Sequence, residues 1–376
     1  MAAGSVAEKR RSFYRPELDV LRFGAFCLVF IHHGFPLRTA EYVGWGVPST
    51  LAALLASGAR AGALGVDLFF ALSAYLITEL LLREQRARGS FDIRAFYTRR
   101  ILRIWPLYYF ALLVLLPLLA LALPADQMPG NFWLAFLLFA GNWACAWWNL
   151  YPTALALLWS VSIEEQFYVV WPWLMRVCGR LMPLCAIGML AIATITRAFL
   201  IGHHANDAAL WTNTFARLDP IAGGALLALL LRGRIPKHTL RGQAFWIATG
   251  GAGLVLWMAG NALKDPGWTQ LLTTPIADAA CVAILFGSFV PDSRRVPGIL
   301  VYLGKISYGL YVFHVAAIRL VQTVAGRTLA RPLAGPYVLL IAFSLTVAAA
   351  ALSYRYLESP FLRAKNRFAQ VSTRPV

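Results

Sequence analysis

Arg22 and His33, separated by ten residues, lie inside the first membrane-length apolar stretch of the chain. An ionisable side chain in such a stretch is costly and is read first as functional. Eleven steps along an α-helix make almost three turns, so guanidinium and imidazole share one face, about 16 Å apart along the axis. Asp19 and Phe26 fall near the same stripe. A helix with carboxylate, guanidinium and imidazole on one face calls for a polar cleft beside it. The plainer alternative is a buried ion pair and a separately satisfied histidine.

Further polar residues are expected at the depth of His33. They are Asp67 in Gly65-Val66-Asp67-Leu68-Phe69-Phe70, Glu164 and Glu165 in the 157–176 stretch, and Arg217 and Asp219 at the start of the 213–231 stretch. Imidazole and carboxylate together suit general base catalysis on a hydroxyl: the ring takes the proton, and a carboxylate orients the ring and stabilises its charged form. An unperturbed histidine titrates near neutral pH, which suits that work. Consecutive glutamates point about 100° apart on a helix, so one of the two faces a cleft. The i,i+3 spacing favours Glu165, with Ser162 and Tyr168 beside it. Asp67 could instead cap a helix or pair with an arginine, and Arg217 with Asp219 could be a structural ion pair.

A second chemistry is expected at the opposite face, where Arg99, Arg100 and Arg103 begin a helix ahead of Trp105-Pro106. Arg100 and Arg103 are one turn apart and can meet one ligand, and a guanidinium fork matches phosphate geometry. Anchoring by the positive-inside rule is the competing explanation.

The elements that must position these groups are membrane helices. Of 376 residues 59% are hydrophobic and only 14% charged, which no soluble domain of this length matches. The net charge of +17 is nearly all arginine, placed between apolar segments where it sets topology and meets anionic lipid. No nucleic-acid partner is expected, since neither a recognition fold nor a detached basic domain is visible. The five cysteines are scattered without a CxxC pair and read as small membrane hydrophobes; no metal site is expected. The first apolar run holds Asp19 and Arg22 and ends in His32-His33, so it reads as a retained helix rather than a cleaved signal.

The pattern predicts an all-α polytopic membrane protein, one domain over 1–376, with spans at 17–36, 61–82, 103–123, 157–176, 182–201, 213–231, 243–260, 271–290, 298–320 and 336–356. The 131–148 segment, broken at Gly141-Asn142 and rich in tryptophan, is expected to be re-entrant or interfacial. Leaving it out of the count puts the basic connections 176–180, 232–241 and 294–295, the tail 363–367, the 83–103 loop and the N-terminal Lys9, Arg10, Arg11 and Arg15 on one side. That side is the cytoplasm, with both termini in it. Counting 131–148 as a crossing breaks the rule at every later connection. Arg327 and Arg331, in an outer connection, do not fit. No internal repeat favours a transporter built on inverted repeats, and no appended soluble domain is expected after 357.

Several separated stretches resemble the acyltransferase-3 family of bacterial integral membrane O-acyltransferases. They are Pro16-Glu17-Leu18-Asp19-Val20-Leu21-Arg22 with His33, the 65–75 stretch from Gly65 to Tyr75, and Phe96-Tyr97-Thr98-Arg99-Arg100-Ile101-Leu102-Arg103-Ile104-Trp105-Pro106. The series continues with 159–168 from Trp159 to Tyr168, Leu303-Gly304-Lys305-Ile306-Ser307-Tyr308-Gly309-Leu310-Tyr311 with His314, and Glu358-Ser359-Pro360-Phe361. The likeness runs from about 14 to 362. It implies an enzyme of the bacterial cytoplasmic membrane with about ten helices, taking an acyl group, often acetyl, from cytoplasmic acyl-CoA. The acceptor would be a hydroxyl, most often on a surface or secreted carbohydrate such as a lipid-linked glycan, lipopolysaccharide or exopolysaccharide.

Under that resemblance His33 is the essential base and Arg22 its partner; position along the helices adds Asp19, Asp67 and Glu165 as the expected supporting carboxylates. Arg99, Arg100 and Arg103 would meet CoA, together with Ser73 and Phe69 of the family's Phe-x-x-x-Ser-Gly element. By depth, spacing and motif position rather than by the resemblance, Glu164, Ser162, Tyr168, Arg217, Asp219 and His314 are expected to line the acceptor side. Ala74 departs from that element, standing where the family usually has glycine, which would narrow or tilt an acyl channel if the glycine permits close approach. CoA phosphates would dock on the cytoplasmic side, an apolar path would protect the thioester from water, and the acceptor would arrive from outside. The rival class is a proton-coupled transporter or exporter, which would place the same residue types in mid-membrane; a non-catalytic scaffold is the third reading. The acceptor, the acyl chain length, direct transfer against an acyl-enzyme, and oligomeric state carry no signal in the sequence.

Overall fold

Residues 14–123, 128–236, 238–260, 266–290, 296–328, 335–368 and 371 are described by the computed structural model of the protein. Lys9, Arg10, Arg11, Arg294, Arg295, Arg331 and the side chain of Arg327 lie outside the described residues. The described chain is helical, with no strand.

The first helix, α1 (Pro16–Gly34), starts on a proline, whose fixed φ suits a first turn. Its acids Glu17 and Asp19 lie in that turn and its histidines in the last, each where the helix dipole favours it. Two short helices follow, α2 (Thr39–Gly44) and α3 (Ser49–Ala61), in a region expected to be a plain connection. Helix α4 (Gly65–Arg88) ends at left-handed Gly89, φ 75°. Helix α5 (Ile93–Phe110) is capped by the Asp92 carboxylate, which accepts from the Ala95 N–H at 3.1 Å. It starts ten residues before the expected span. Pro106 lies inside it, and five residues of wider π-type winding (Ala111–Leu115) lead into α6 (Leu116–Ala122).

The 131–148 segment is two eight-residue helices, α7 (Gly130–Leu137) and α8 (Gly141–Trp148). Each is about 12 Å long, well short of a bilayer core of about 30 Å. Beyond them come α9 (Trp159–Cys178) and α10 (Met182–Gly202), separated at left-handed Gly179, φ 49°. Next are α11 (Asp207–Thr212), α12 (Leu218–Leu231), α13 (Leu240–Gly260) and α14 (Pro266–Gly287). The 298–320 segment is broken at Ile306 into α15 (Gly298–Lys305) and α16 (Ser307–Thr328). Helices α17 (Gly335–Ser353) and α18 (Ser359–Asn366) complete the chain.

Six stretches among the described residues are long and apolar enough to cross a membrane: Ser49–Arg88, Ile93–Ala122, Ala156–Gly202, Trp268–Gly287, Ser307–Gly326 and Tyr337–Asn366. Three of the ten expected spans, 17–36, 213–231 and 243–260, are not among them, the first two for clear reasons. Helix α1 carries Glu17, Asp19 and Arg22 within nineteen residues. Helix α12 has fourteen residues, about 21 Å at 1.5 Å per residue.

The largest apolar core joins α1, α4, α5, α9 and α16 through Phe26, Phe70, Phe96, Tyr108, Trp171 and Leu310. Two glycines set the closest helix approaches. A Cβ on Gly224 of α12 would overlap the backbone of Ala71 in α4, and one on Gly304 of α15 the backbone of Asp19 in α1. The second contact fixes the helix that carries Asp19, Arg22 and His33.

Candidate functional site

A cavity of about 190 Å³ opens between α1, α4, α5, α9, α16 and α18. Helical spacing explains its wall: Arg15, Asp19 and Arg22 come from α1 and the residue before it, Phe69 and Ser73 from α4, and Arg100 and Arg103 from α5. Ser160, Glu164 and Tyr168 of α9 follow at i, i+4, i+8, with Tyr308 and Tyr311 from α16 and Lys365 from α18. Five cationic side chains therefore meet Asp19 and Glu164 around one volume.

Most of these groups are held by the protein. Asp19 accepts from Arg22 at 2.7 Å and from the Tyr14 hydroxyl at 3.0 Å. Arg15 donates to the Val290 carbonyl at 2.9 Å and pairs with Glu17. The Ser73 and Tyr168 hydroxyls are 2.5 Å apart, with Glu164 next to both. Tyr308 donates to the Ile104 carbonyl at 3.1 Å. Arg100 and Arg103 differ. Among the described residues neither makes an ion pair or a hydrogen bond, and Arg100 rests only against the rings of Phe96 and Tyr168, 5.7 and 5.8 Å away. Asp19 and Glu164 share this wall, but neither is in an ion pair with Arg100 or Arg103, so these two half-buried guanidiniums keep donors that an external anion could take.

His33 is not in the cavity wall. It is exposed at the far end of α1, and its Nδ1 lies 3.0 Å from the Val29 carbonyl and 3.2 Å from Nε2 of His314. His314 is fully buried, with its Nδ1 2.7 Å from the Tyr311 carbonyl. Tyr311 stands between this pair and the cavity. Its hydroxyl pairs with Ser160 at 2.7 Å, and its ring meets Phe69 edge-on.

The acyltransferase domain family matches residues 15–355, the cavity wall short of Tyr14 and Lys365 included. The chain belongs to the acyltransferase-3 family. Similar proteins include the peptidoglycan O-acetyltransferase OatA of Listeria monocytogenes, 25% identical over 92% of this chain and 56% of the relative. The O-acetyltransferase OatA of Staphylococcus aureus is 28% identical over 92% of this chain and 57% of the relative. The chain thus spans a little over half the length of these relatives. No solved structure matches it significantly.

Several expectations for this acyltransferase-3 chain are corrected by the geometry. Glu164, not Glu165, lines the cavity. Glu165 turns the other way and accepts from the Trp105 indole at 3.0 Å, because α9 packs with that face on α5. Ser162 is fully buried and back-bonds to the Leu158 carbonyl at 3.4 Å. Arg99 is turned out of the cavity and clamps Glu84 at 2.7 Å and the Phe368 carbonyl at 2.8 Å. Arg217 and Asp219 are not paired with each other and do not line the cavity. Arg217 pairs with Asp67, and Arg197 grips Asp219 through both nitrogens at 2.8 and 2.6 Å. Groups expected at one depth are thus divided among three places, and the ring that meets His33 is His314 rather than a carboxylate. Ala74 is fully buried beside, not within, the cavity wall.

The residues missed had signals of unequal strength. Tyr308 and Tyr311, an i,i+3 pair beside Ser307, lay in a quoted motif. Arg15 and Lys365 were absorbed into topology. Arg197 and Asp278 were visible as charges inside apolar runs. Asp278 is buried beside Asp67 and Asp219, with no hydrogen-bond partner for either oxygen among the described residues. No group of His, Cys, Asp and Glu suited to a metal is present among the described residues.

Proposed function

We propose that this protein is an integral membrane O-acyltransferase that moves an acyl group, most simply acetyl, from acyl-CoA to a hydroxyl of a cell-envelope or secreted carbohydrate. The observation that supports the donor side is the pair Arg100 and Arg103, which line the cavity without forming an ion pair among the described residues. In this reading they hold the donor's phosphates, and Arg15, Arg22 and Lys365 add positive potential at the same mouth. The basic mouth faces the cytoplasm, following the arginine-rich 83–103 region, in a chain of ten spans with both termini inside. The membrane is the bacterial cytoplasmic membrane.

Bound acyl-CoA supplies a thioester carbonyl already activated for attack. The polar groups Ser73, Tyr168 and Glu164 orient the arm that crosses the cavity, and Phe69 and Tyr311 stand at its inner end, past which the thioester must reach to meet the acceptor at His33. The acceptor hydroxyl meets His33 from the outer side. His33 takes the hydroxyl proton as the O–C bond forms, and the proton passes on to the departing sulfur as the C–S bond breaks. The name of the Listeria relative makes peptidoglycan the first acceptor to try.

The test uses native membranes and radiolabelled acetyl-CoA, following label into glycan and lipid fractions for wild type, His33→Ala and Arg103→Ala. Label with wild type alone is expected. Equal label from all three, or none from wild type with any acyl-CoA at normal expression, contradicts the reading. The second outcome favours a proton-coupled exporter, for which the buried Asp67, Asp219 and Asp278 would be the working groups.

A further inference from the structure

We propose that His314 is a positioning residue: together with the Val29 carbonyl it holds the proton of His33 on Nδ1, so that Nε2 of His33 is the basic nitrogen presented to the acceptor. The inference rests on the reading of His33 as the base and adds which nitrogen acts and what holds it.

The argument needs only donor and acceptor roles. A carbonyl oxygen accepts and never donates. Nδ1 of His314 lies 2.7 Å from the Tyr311 carbonyl, so that nitrogen carries the proton. Nδ1 of His33 lies 3.0 Å from the Val29 carbonyl, so it carries one as well. The remaining contact, 3.2 Å between Nε2 of His314 and Nδ1 of His33, then has one consistent sense. His33 donates its Nδ1–H, shared between Val29 and His314, and Nε2 of His314 accepts through its lone pair. A neutral His33 proton thus sits on Nδ1, and its Nε2 keeps a lone pair with no protein partner among the described residues.

His314 cannot easily turn away from this role. It is fully buried, and Phe26 and Phe30 pack against its ring at 5.8 and 6.3 Å between centroids. Its polar contacts include the Tyr311 carbonyl, the Leu310 backbone and His33. His33 is exposed, so the free nitrogen belongs to a ring that an acceptor from the outer side can reach. When His33 takes a proton, Nε2 of His314 still accepts from Nδ1–H and steadies the cation, the part a carboxylate plays in a catalytic triad. This places His314 behind the base rather than on the acceptor.

Two amide substitutions separate this role from packing. Glutamine places its amide near the position of Nε2, whereas asparagine reaches only as far as Nδ1. His314→Gln keeps an acceptor for His33, and His314→Asn keeps only the bond to Tyr311. Label transfer from acetyl-CoA is measured in membranes for both, with KM for the donor and CoA binding by the purified variants as controls. The expected result is kcat down about 100-fold or more for His314→Asn, the scale of losing a partner that holds a functional histidine's tautomer. His314→Gln should stay within about tenfold of wild type by the same scale, with KM and CoA binding unchanged in both.

Equal activities for the two variants while His33→Ala is silent would overturn the positioning role alone. Transfer by His33→Ala would overturn the underlying reading of the base and this inference with it. Should His314→Gln fail to accumulate, 15N spectra of histidine-labelled wild type in micelles, assigned with His33→Ala, read the tautomer directly. A proton on Nδ1 of His33 is expected, and one on Nε2 of the neutral ring overturns the proposal.

Discussion

Two pairs of arginines lie inside this helical bundle, and their surroundings are opposite. Arg197 and Arg217 each meet a carboxylate from another element, Asp219 and Asp67, and are almost completely buried. Arg100 and Arg103 form no ion pair among the described residues, although Asp19 and Glu164 line the same cavity. A half-buried charge left without an ion pair is costly. The first pair therefore reads as scaffold that joins α4, α10 and α12, and the second as a site whose counter-charge comes from outside. Residue type is the same in both; saturation separates them.

The largest effect is expected where the saturated pair is broken. Arg197→Ala leaves Asp219 buried without its partner and should cost about 3–5 kcal/mol, read as loss of monodisperse protein after detergent extraction. Replacing both partners, Arg197→Met with Asp219→Leu, should recover most of that yield. An Arg197→Ala variant that accumulates normally and loses only activity would erase the contrast between the two pairs.

Next in size is Arg103→Ala. It should accumulate like wild type but bind CoA about 10- to 100-fold more weakly, the scale of one or two hydrogen bonds between charged groups. Arg100→Lys keeps the charge and loses the planar fork, so a weaker effect, roughly severalfold, is expected in the same titration. The two glutamates sharpen the comparison at the smallest scale. Glu164→Gln should change KM for the donor, whereas Glu165→Gln still offers an oxygen to Trp105 and should leave KM within about twofold, at a stability cost of about 1 kcal/mol.

The shared cavity wall of Arg100 and Arg103 was legible in the sequence because it depends on local spacing. Arg100 and Arg103 are one turn apart on a single helix, and helical period alone puts them on one face. The same period failed to choose between Glu164 and Glu165, since the phase of α9 is set by its contact with Trp105, sixty positions away. Arg99 has the right type and the wrong direction, and only Glu84 and the Phe368 carbonyl on neighbouring elements explain where it points. The pairing of Arg217 with Asp67, 150 positions apart, displaced the nearer Asp219 for the same reason. His314 stood in a quoted motif, but its bond to His33 spans 281 positions and no periodicity announces it. Spacing within a helix was readable; partners between helices were not. The fold divides the same way: the long apolar helices followed from composition, while the two short helices over 39–61 and the break at Ile306 depend on packing.

The most direct test of the account is a CoA titration of purified wild type, Arg103→Ala and His33→Ala in detergent, read as the shift in unfolding temperature. A ligand that binds only the folded state raises stability with its concentration. The account predicts a concentration-dependent rise for wild type and His33→Ala, and little or none for Arg103→Ala. An equal rise in Arg103→Ala would show that the anion binds elsewhere and that the cavity between α1, α5 and α9 is not the donor site.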